Sequence, residues 1–399
     1  MSHPAFANWL SETNDVTRTF LAAGQIPGLI NLGGGLPDPE TWPVKDITAL
    51  ANRAMTEHTT DALAYPPIEG LPALRDEIAR RFSATGLNLT RDNVLIVSGG
   101  MQALDLIGKV FLDPGDAVAA QSPAYLGALD AWRPRSPVYR PMVFEQDDFD
   151  PINALTGAKF AYTVPNFSNP TGRLVPLAQR QALVDAARAS GAFLVEDDPY
   201  GTLHYDGEPL PRMLDLSAQD ADRPYDGPVI YLGTLSKGLA PGLRVGWMIA
   251  APEVIAAMVT AKQGSDMCTA GLSQRIACDA LAMGLTETVL PGILSLYRAR
   301  RDGLCAAMKT HLDGAFDWQV PTGGMFVWAT ARDPRLDTDT LLRTGLDHGV
   351  CVSPSSVFDP VNRNRSAIRI NFTLNHAEDL AEGVRRLAQA VEATLAKAA

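Results

Sequence analysis

From residue 46 to residue 250, short apolar runs rich in β-branched residues alternate with segments of helical periodicity, and this alternation restricts the fold more than any other feature of the chain. Strands are expected at Asn93 to Val97 and at 117–120, 138–143, 159–164, 193–196, 229–232 and 245–250. Helices are expected at 46–58, 71–85, 101–112 and Leu177 to Ser190, the last stopped by Gly191. Short strands joined through helices make a largely parallel sheet with helices on both faces, an α/β architecture. Such sheets bind ligands beyond the carboxyl ends of their strands.

The residues with chemical uses fall at those strand ends: Met101, Tyr125, Asn169, Asp197, Tyr200 and Lys237. In Tyr231 to Trp247, a buried strand delivers Thr234, Ser236 and Lys237 to a turn, Gly238, Pro241 and Gly242 shape the next loop, and Arg244 opens another apolar strand. A lysine shielded from water is pushed toward its neutral amine, which attacks carbonyls, and an arginine with nearby hydroxyls suits a phosphate. Carbonyl and phosphate on one small molecule suggest pyridoxal phosphate. After the strand ending at Val97, the backbone N–H groups of Gly100, Met101 and Gln102 at a helix start offer an anion site, or only a plain turn. Asp197 suits a pyridine nitrogen or a cap; Asn169 and Tyr200 suit a ring hydroxyl, though Asn-Pro-Thr-Gly is also a good turn. Tyr125 suits a ring face or ordinary packing. The run Gly33 to Gly35 lets the backbone pass close to something, or forms a mobile turn.

After about residue 285 the organisation changes. A long helical region is expected over 286–311, any early break falling near Pro291 and Gly292, followed by strands at 316–320 and 324–329, a helix at 338–348, and strands at 350–353 and 367–372. A terminal amphipathic helix carries Leu380, Val384, Leu387 and Val391 on one stripe. The expected division is a large domain over 46–285 and a small α/β domain over 286–399, joined by the segment 1–45 with its helix between Asp15 and Gly24. In the last strand Arg369 interrupts an apolar alternation and requires an anionic partner, either a substrate carboxylate or a structural salt bridge.

The net charge of −11 disfavours nucleic acid and anionic membranes. Cys268, Cys278, Cys305 and Cys351 lie far apart, and with six histidines they suggest neither a disulfide framework nor a metal site. No basic-then-apolar leader and no ~20-residue apolar run is present, so a cytoplasmic protein without a membrane partner is expected.

With these residues in place, the chain resembles the class I/II aminotransferases of pyridoxal-phosphate fold type I. The resemblance runs in order from LGGGLPDPETWP through AYPPIEG, SGGMQAL, SPAY, PNFSNPTG, VEDDPY and TLSKGLAPGLRVGW to GGMFVW and IRINF. It is strongest to the branch containing 2-aminoadipate and aromatic or broad-specificity aminotransferases, whose catalytic domain also occurs fused in transcription regulators. The resemblance implies that Lys237 is joined to the cofactor and shuttles the Cα proton, that Asp197 pairs with the ring nitrogen, that Asn169 and Tyr200 hold the ring oxygen and that Tyr125 stacks on the ring. It also implies a homodimer: the phosphate is held by Gly100, Met101, Ser236 and Arg244 and by Tyr65 of the partner subunit. Arg369, near Gly35 and Asn169, takes the substrate α-carboxylate, and Arg18 on a mobile helix meets a distal carboxylate. Many relatives carry a hydroxyl residue where this chain has Gly100, which removes one phosphate bond. The implied reaction is ping-pong transfer of an amino group from 2-aminoadipate, glutamate, or an aromatic or branched-chain amino acid to a 2-oxo acid such as 2-oxoglutarate. The rivals are a cofactor-binding regulator without turnover, disfavoured by the acidic charge and by the mere fifteen or so residues before the first helix, and a lyase on the same fold.

Overall fold

The structure is a computed structural model, describing residues 5–398 apart from 13–14, 24–25, 147, 219–221 and 362–363. Its centre is a seven-stranded sheet. Across the sheet the order is Val94–Val97, Gly246–Ile249, Val229–Thr234, Phe193–Asp197, Phe160–Thr163, Ala117–Gln121 and Val138–Met142. Only Gly246–Ile249 runs antiparallel to its neighbours. It follows Val229–Thr234 through the loop 235–245, which contains no crossover helix, so the chain turns back on itself.

The central strands read as unbroken apolar runs because both faces of the sheet are covered. Leu95, Val118, Phe160, Val195 and Ile230 pack into one core, and Val94, Ile96, Ala119, Ala161 and Leu194 into the other. Helix Leu177–Ser190 ends as expected at Gly191, whose φ of 73° suits a residue without Cβ. Helices Pro252–Gln263 and Gly271–Ala282 were not among those expected from the sequence.

A second sheet is antiparallel, in the order Ser353–Pro354, Ala367–Asn371, Phe326–Ala331, Phe316–Trp318. The single strand expected at 350–353 is in fact two. Val350–Cys351 pairs in parallel with Ile30–Asn31, while Ser353–Pro354 forms the edge of the antiparallel sheet, where the missing N–H of proline is tolerated. The terminal helix Ala377–Ala398 buries Leu380, Val384, Leu387 and Val391 as expected.

The helical region expected over 286–311 is one helix, Leu285–His311, and Pro291, the place named for any early break, lies inside it. An internal proline costs about 3 kcal/mol, and the burial of Ile293, Tyr297, Leu304 and Met308 further along the same helix outweighs it. The bend lies just before, at Gly284 with φ of 70°, where Gly271–Ala282 and Leu285–His311 meet at 81°. The first helix, Asp15–Ala23, packs on helix Thr338–Asp347 and on the turn Ser355–Phe358. The Asp15 side chain and Gly24, expected as cap and stop, lie outside the described residues. Among the described residues no single helix is long and apolar enough to cross a membrane.

Candidate active site

Lys237 follows strand Val229–Thr234, beside the end of Phe193–Asp197, where Leu232 pairs with Asp197. Its Nζ donates to the Gly35 carbonyl at 2.8 Å. Burial, then the cations of Arg369 and Arg244, push the amine down to about 8. Within the same turn Thr234 Oγ1 lies 2.9 Å from Ser236 Oγ and accepts from Ser236 N at 3.1 Å.

Arg244 caps the turn Pro241–Leu243 in a left-handed conformation, φ 52°, and its Nη2 donates to Ser98 O at 3.1 Å. The guanidinium therefore lies against the entry to helix Gly100–Phe111, which has no side-chain cap. Gly99 is required there: its φ is 86°, and a Cβ would stand 2.3 Å from Arg244 Nη2. Around Gly100 the space is open, with no neighbour among the described residues within 4 Å of a Cβ. Gln102 departs from expectation. Its N–H donates to Gly99 O at 3.1 Å, and its Oε1 accepts from Ser98 N at 2.7 Å. The turn thus closes on itself through Gln102, and only the Gly100 and Met101 amides remain to face an anion. Behind it, fully buried Lys262 pairs with Asp266 at 2.5 Å, and Asp266 accepts from Ser98 Oγ at 2.9 Å. That bracing pair gave no signal in the sequence.

Asp197 is buried, and its Oδ2 accepts from the Tyr162 hydroxyl at 2.7 Å. Burial pushes the carboxyl up to about 7; the Tyr162 bond opposes this and neighbouring Asp198 adds to it. Asp198 itself is held by Asn166 and Tyr231, and Glu196 accepts the amides of Met213 and Leu214. Tyr125 follows strand Ala117–Gln121 with its hydroxyl 3.6 Å from Met101 Sδ, and burial pushes it up to about 12. Tyr200 is buried and accepts from Asn169 Nδ2 at 3.4 Å.

Arg369, 4% exposed, comes from the other sheet. Its Nη1 donates to Asn169 Oδ1 at 2.6 Å and its Nη2 to Ser353 Oγ at 3.1 Å and to the Gly33 carbonyl. The guanidinium lies over the rings of Phe326 and Phe358, at 4.3 and 4.7 Å. All these partners are neutral, and among the described residues its buried Nε has none. Burial lowers its proton affinity to about 10, so it remains a cation at neutral pH and calls for an anion from outside the chain. The structural salt bridge considered for Arg369 is absent among the described residues.

The glycine run Gly33 to Gly35 is thus fastened at both ends, Gly33 O on Arg369 and Gly35 O on Lys237. Asn31 Oδ1 accepts from the amides of Gly33 and Gly34 at 2.9 and 3.0 Å. A buried pair, Arg300 with Asp38 at 2.5 Å, anchors the segment that follows. Arg18 is exposed on helix Asp15–Ala23, which borders the turn carrying Phe358. Tyr65 is 84% exposed. Other expected residues lie close to one another: Lys237 and Tyr125 each feel the charges of Arg369 and Arg244, Tyr125 also that of Asp197, and Asn169 joins Arg369 to Tyr200. A carbonyl-reactive amine, a buried carboxylate, an aromatic ring and a cationic, amide-lined turn fit pyridoxal phosphate, and Arg369 adds a place for a carboxylate.

Residues 27–387 match the family Aminotransferase class I and II. The 2-aminoadipate transaminase of Thermus thermophilus is 36% identical over 385 residues, 95% of this chain and 94% of that one. The aromatic-amino-acid aminotransferase 1 of Thermococcus litoralis is 34% identical over 392 residues, 95% of this chain and 92% of that one. The kynurenine aminotransferase of Pyrococcus horikoshii, solved in complex with PMP, superposes with a TM-score of 0.89 at 34% identity, covering 98% of this chain and 97% of that one. The chain belongs to the class I and II aminotransferases, and its cofactor is pyridoxal phosphate.

Proposed function

We propose that this aminotransferase moves the amino group of glutamate, 2-aminoadipate, or an aromatic or branched-chain amino acid to a 2-oxo acid such as 2-oxoglutarate, in the cytoplasm, with donor and acceptor using one site in turn. The observation that carries the reading is the fastening of Lys237 and Arg369 by two carbonyls of one glycine run, which brings an amine and a guanidinium suited to a carboxylate to one short stretch of backbone. The relatives named for aromatic and aminoadipate substrates support the range of donors.

Pyridoxal phosphate, when bound, supplies an electron-withdrawing ring that eases removal of the substrate Cα proton. Lys237, its proton affinity lowered toward neutrality, accepts that proton and returns it. Asp197 holds the ring nitrogen, Asn169 and Tyr200 the ring oxygen, and Tyr125 covers the ring face. The Gly100 and Met101 amides, with Thr234, Ser236 and Arg244, bind the phosphate. Arg369 grips the α-carboxylate in two places, which fixes Cα over the amine. Residues 46–285 form the unit carrying Lys237, and 286–399, joined by 1–45, the unit carrying Arg369.

A homodimer belongs to the same proposal. Tyr65, exposed in the single chain, would donate its hydroxyl to the neighbour's phosphate, and two-fold dimers are the commonest closed assemblies. Sedimentation of the active enzyme as a monomer contradicts this part.

The deciding assay offers each of the twenty amino acids with 2-oxoglutarate to the cofactor-loaded protein. Formation of the donor's 2-oxo acid in step with glutamate, or with glutamate as donor the loss of its amino group to another 2-oxo acid, supports the reading. Cofactor binding without product for any donor leaves the regulatory rival, and release of ammonia or carbon dioxide leaves the lyase.

A further inference from the structure

Tyr162 lies in strand Phe160–Thr163, fully buried, one strand over from Asp197. Its ring is held by Trp132, which meets it edge-on at a centroid distance of 5.1 Å. Trp132 is fixed in turn, because its Nε1 donates to Leu104 O at 2.8 Å. Gly108 makes room for the indole, since a Cβ there would come within 2.6 Å of it. The phenol therefore has a single place for its hydroxyl, 2.7 Å from Asp197 Oδ2.

Among the described residues Asp197 pairs with no cation. The buried guanidinium of Arg180 is taken up by Asn166 and by the carbonyls of Val175, Pro165 and Pro211. The titratable groups that bear on Asp197 are Tyr162, Asp198, and the hydroxyls of Tyr125 and Tyr200. Asp198 opposes ionisation of Asp197; the Tyr162 bond favours it. Buried beside a carboxylate, the Tyr162 phenol is itself held well above its ordinary range and stays a donor.

We propose that Tyr162 is a positioning residue for the cofactor ring: by occupying Oδ2 of Asp197 it turns Oδ1 toward the ring nitrogen and keeps the carboxylate ionised, so that the proton they share resides on the ring. This rests on Asp197 being the partner of that nitrogen. Tyr162 touches no reacting atom and acts only through Asp197.

Two ligands separate this role from plain packing: pyridoxal phosphate, and its analogue in which the ring nitrogen is replaced by C–H. Tyr162→Phe should bind pyridoxal phosphate about tenfold more weakly, as expected for a lost hydrogen bond to a charged group, and bind the analogue as well as the parent does. Equal weakening of both ligands, or of neither, overturns the proposal. Should the phenylalanine variant fail to fold, 3-fluorotyrosine at position 162 strengthens the donor at almost unchanged volume. The affinity ratio of the two ligands should then shift further in favour of pyridoxal phosphate, and an unmoved ratio overturns the proposal. A parent protein that cannot distinguish the two ligands refutes instead the assignment of Asp197 to the ring nitrogen.

Discussion

Lys237 and Gly35 meet across 202 positions of sequence, the amine donating to the glycine carbonyl at 2.8 Å. The contact ties the reactive end of the parallel sheet to the N-terminal segment, so the site is complete only when the two are docked.

The first prediction concerns that amine. In the folded apoprotein its proton affinity falls to about 8, below that of a lysine in an unfolded chain. Folding is therefore penalised by the charged form; the penalty is full below pH 8 and disappears above about pH 10.5. After discounting partial exposure and the lost Gly35 bond, apo Lys237→Met should be more stable than the parent at pH 7 by about 1 kcal/mol, with the gain vanishing as pH rises through this window. Thermal denaturation at pH 7 and 10.5 checks it, and a gain independent of pH would refute the linkage. With pyridoxal phosphate added, Lys237→Ala should show no visible band that borohydride fixes to the protein.

Arg369 binds through two N–H groups in a fixed fork, which a lysine cannot reproduce. Arg369→Lys should lower kcat/KM by roughly 10²- to 10³-fold, about 3–4 kcal/mol, and by the same factor for glutamate and leucine, because the α-carboxylate is common to both. A loss confined to one donor would assign Arg369 to the side chain instead.

Adjacent glycines should respond in opposite directions. Gly99→Ala forces a Cβ onto Arg244 at a positive φ and should weaken pyridoxal phosphate binding by about tenfold or more. Gly100→Ser enters open space at the first position of the helix and should strengthen binding several-fold, because it adds a hydroxyl donor. Equilibrium titration of the two apoproteins decides. Identical effects would remove the phosphate from this turn.

Arg18 stands exposed on the helix that borders Phe358, and a partly solvated ion pair there contributes about 1–2 kcal/mol. Arg18→Ala should raise KM for glutamate and 2-aminoadipate roughly five- to thirtyfold while sparing leucine and phenylalanine. An equal change for all four donors would mean that the residue supports the helix rather than reads the substrate.

What the sequence disclosed, it disclosed through local pattern. Lys237, Asp197, Asn169 and Tyr125 were legible because polar residues at the ends of apolar runs stand out, and those ends share one edge of a parallel sheet. The bond from Tyr162 to Asp197 was not, since a strand buried on both faces has no polar alternation against which a single phenol can be noticed. The bond between Gly33 and Arg369, and the Asp38–Arg300 pair, join residues far apart in sequence, and no periodicity encodes such partners. Pro291 shows the opposite case: its local preference against helix is strong, and packing further along the same helix overrode it. Gln102 had a free amide by helix geometry alone, and its own side chain and Gly99 closed the turn.

The parallel pairing of Ile30–Asn31 with Val350–Cys351 has a consequence in time. A ribosome delivers the first of these strands long before the second, and closing a loop of about 320 residues carries an entropic cost of roughly 5 kcal/mol that local contacts cannot offset. The glycine run that grips Lys237 and Arg369 follows directly on Ile30–Asn31, so it must wait for nearly the whole polypeptide. A nascent chain can thus complete its parallel sheet and still lack a working centre. Such chains, halted before residue 350, should be compact yet inert, with their early segment open to proteases.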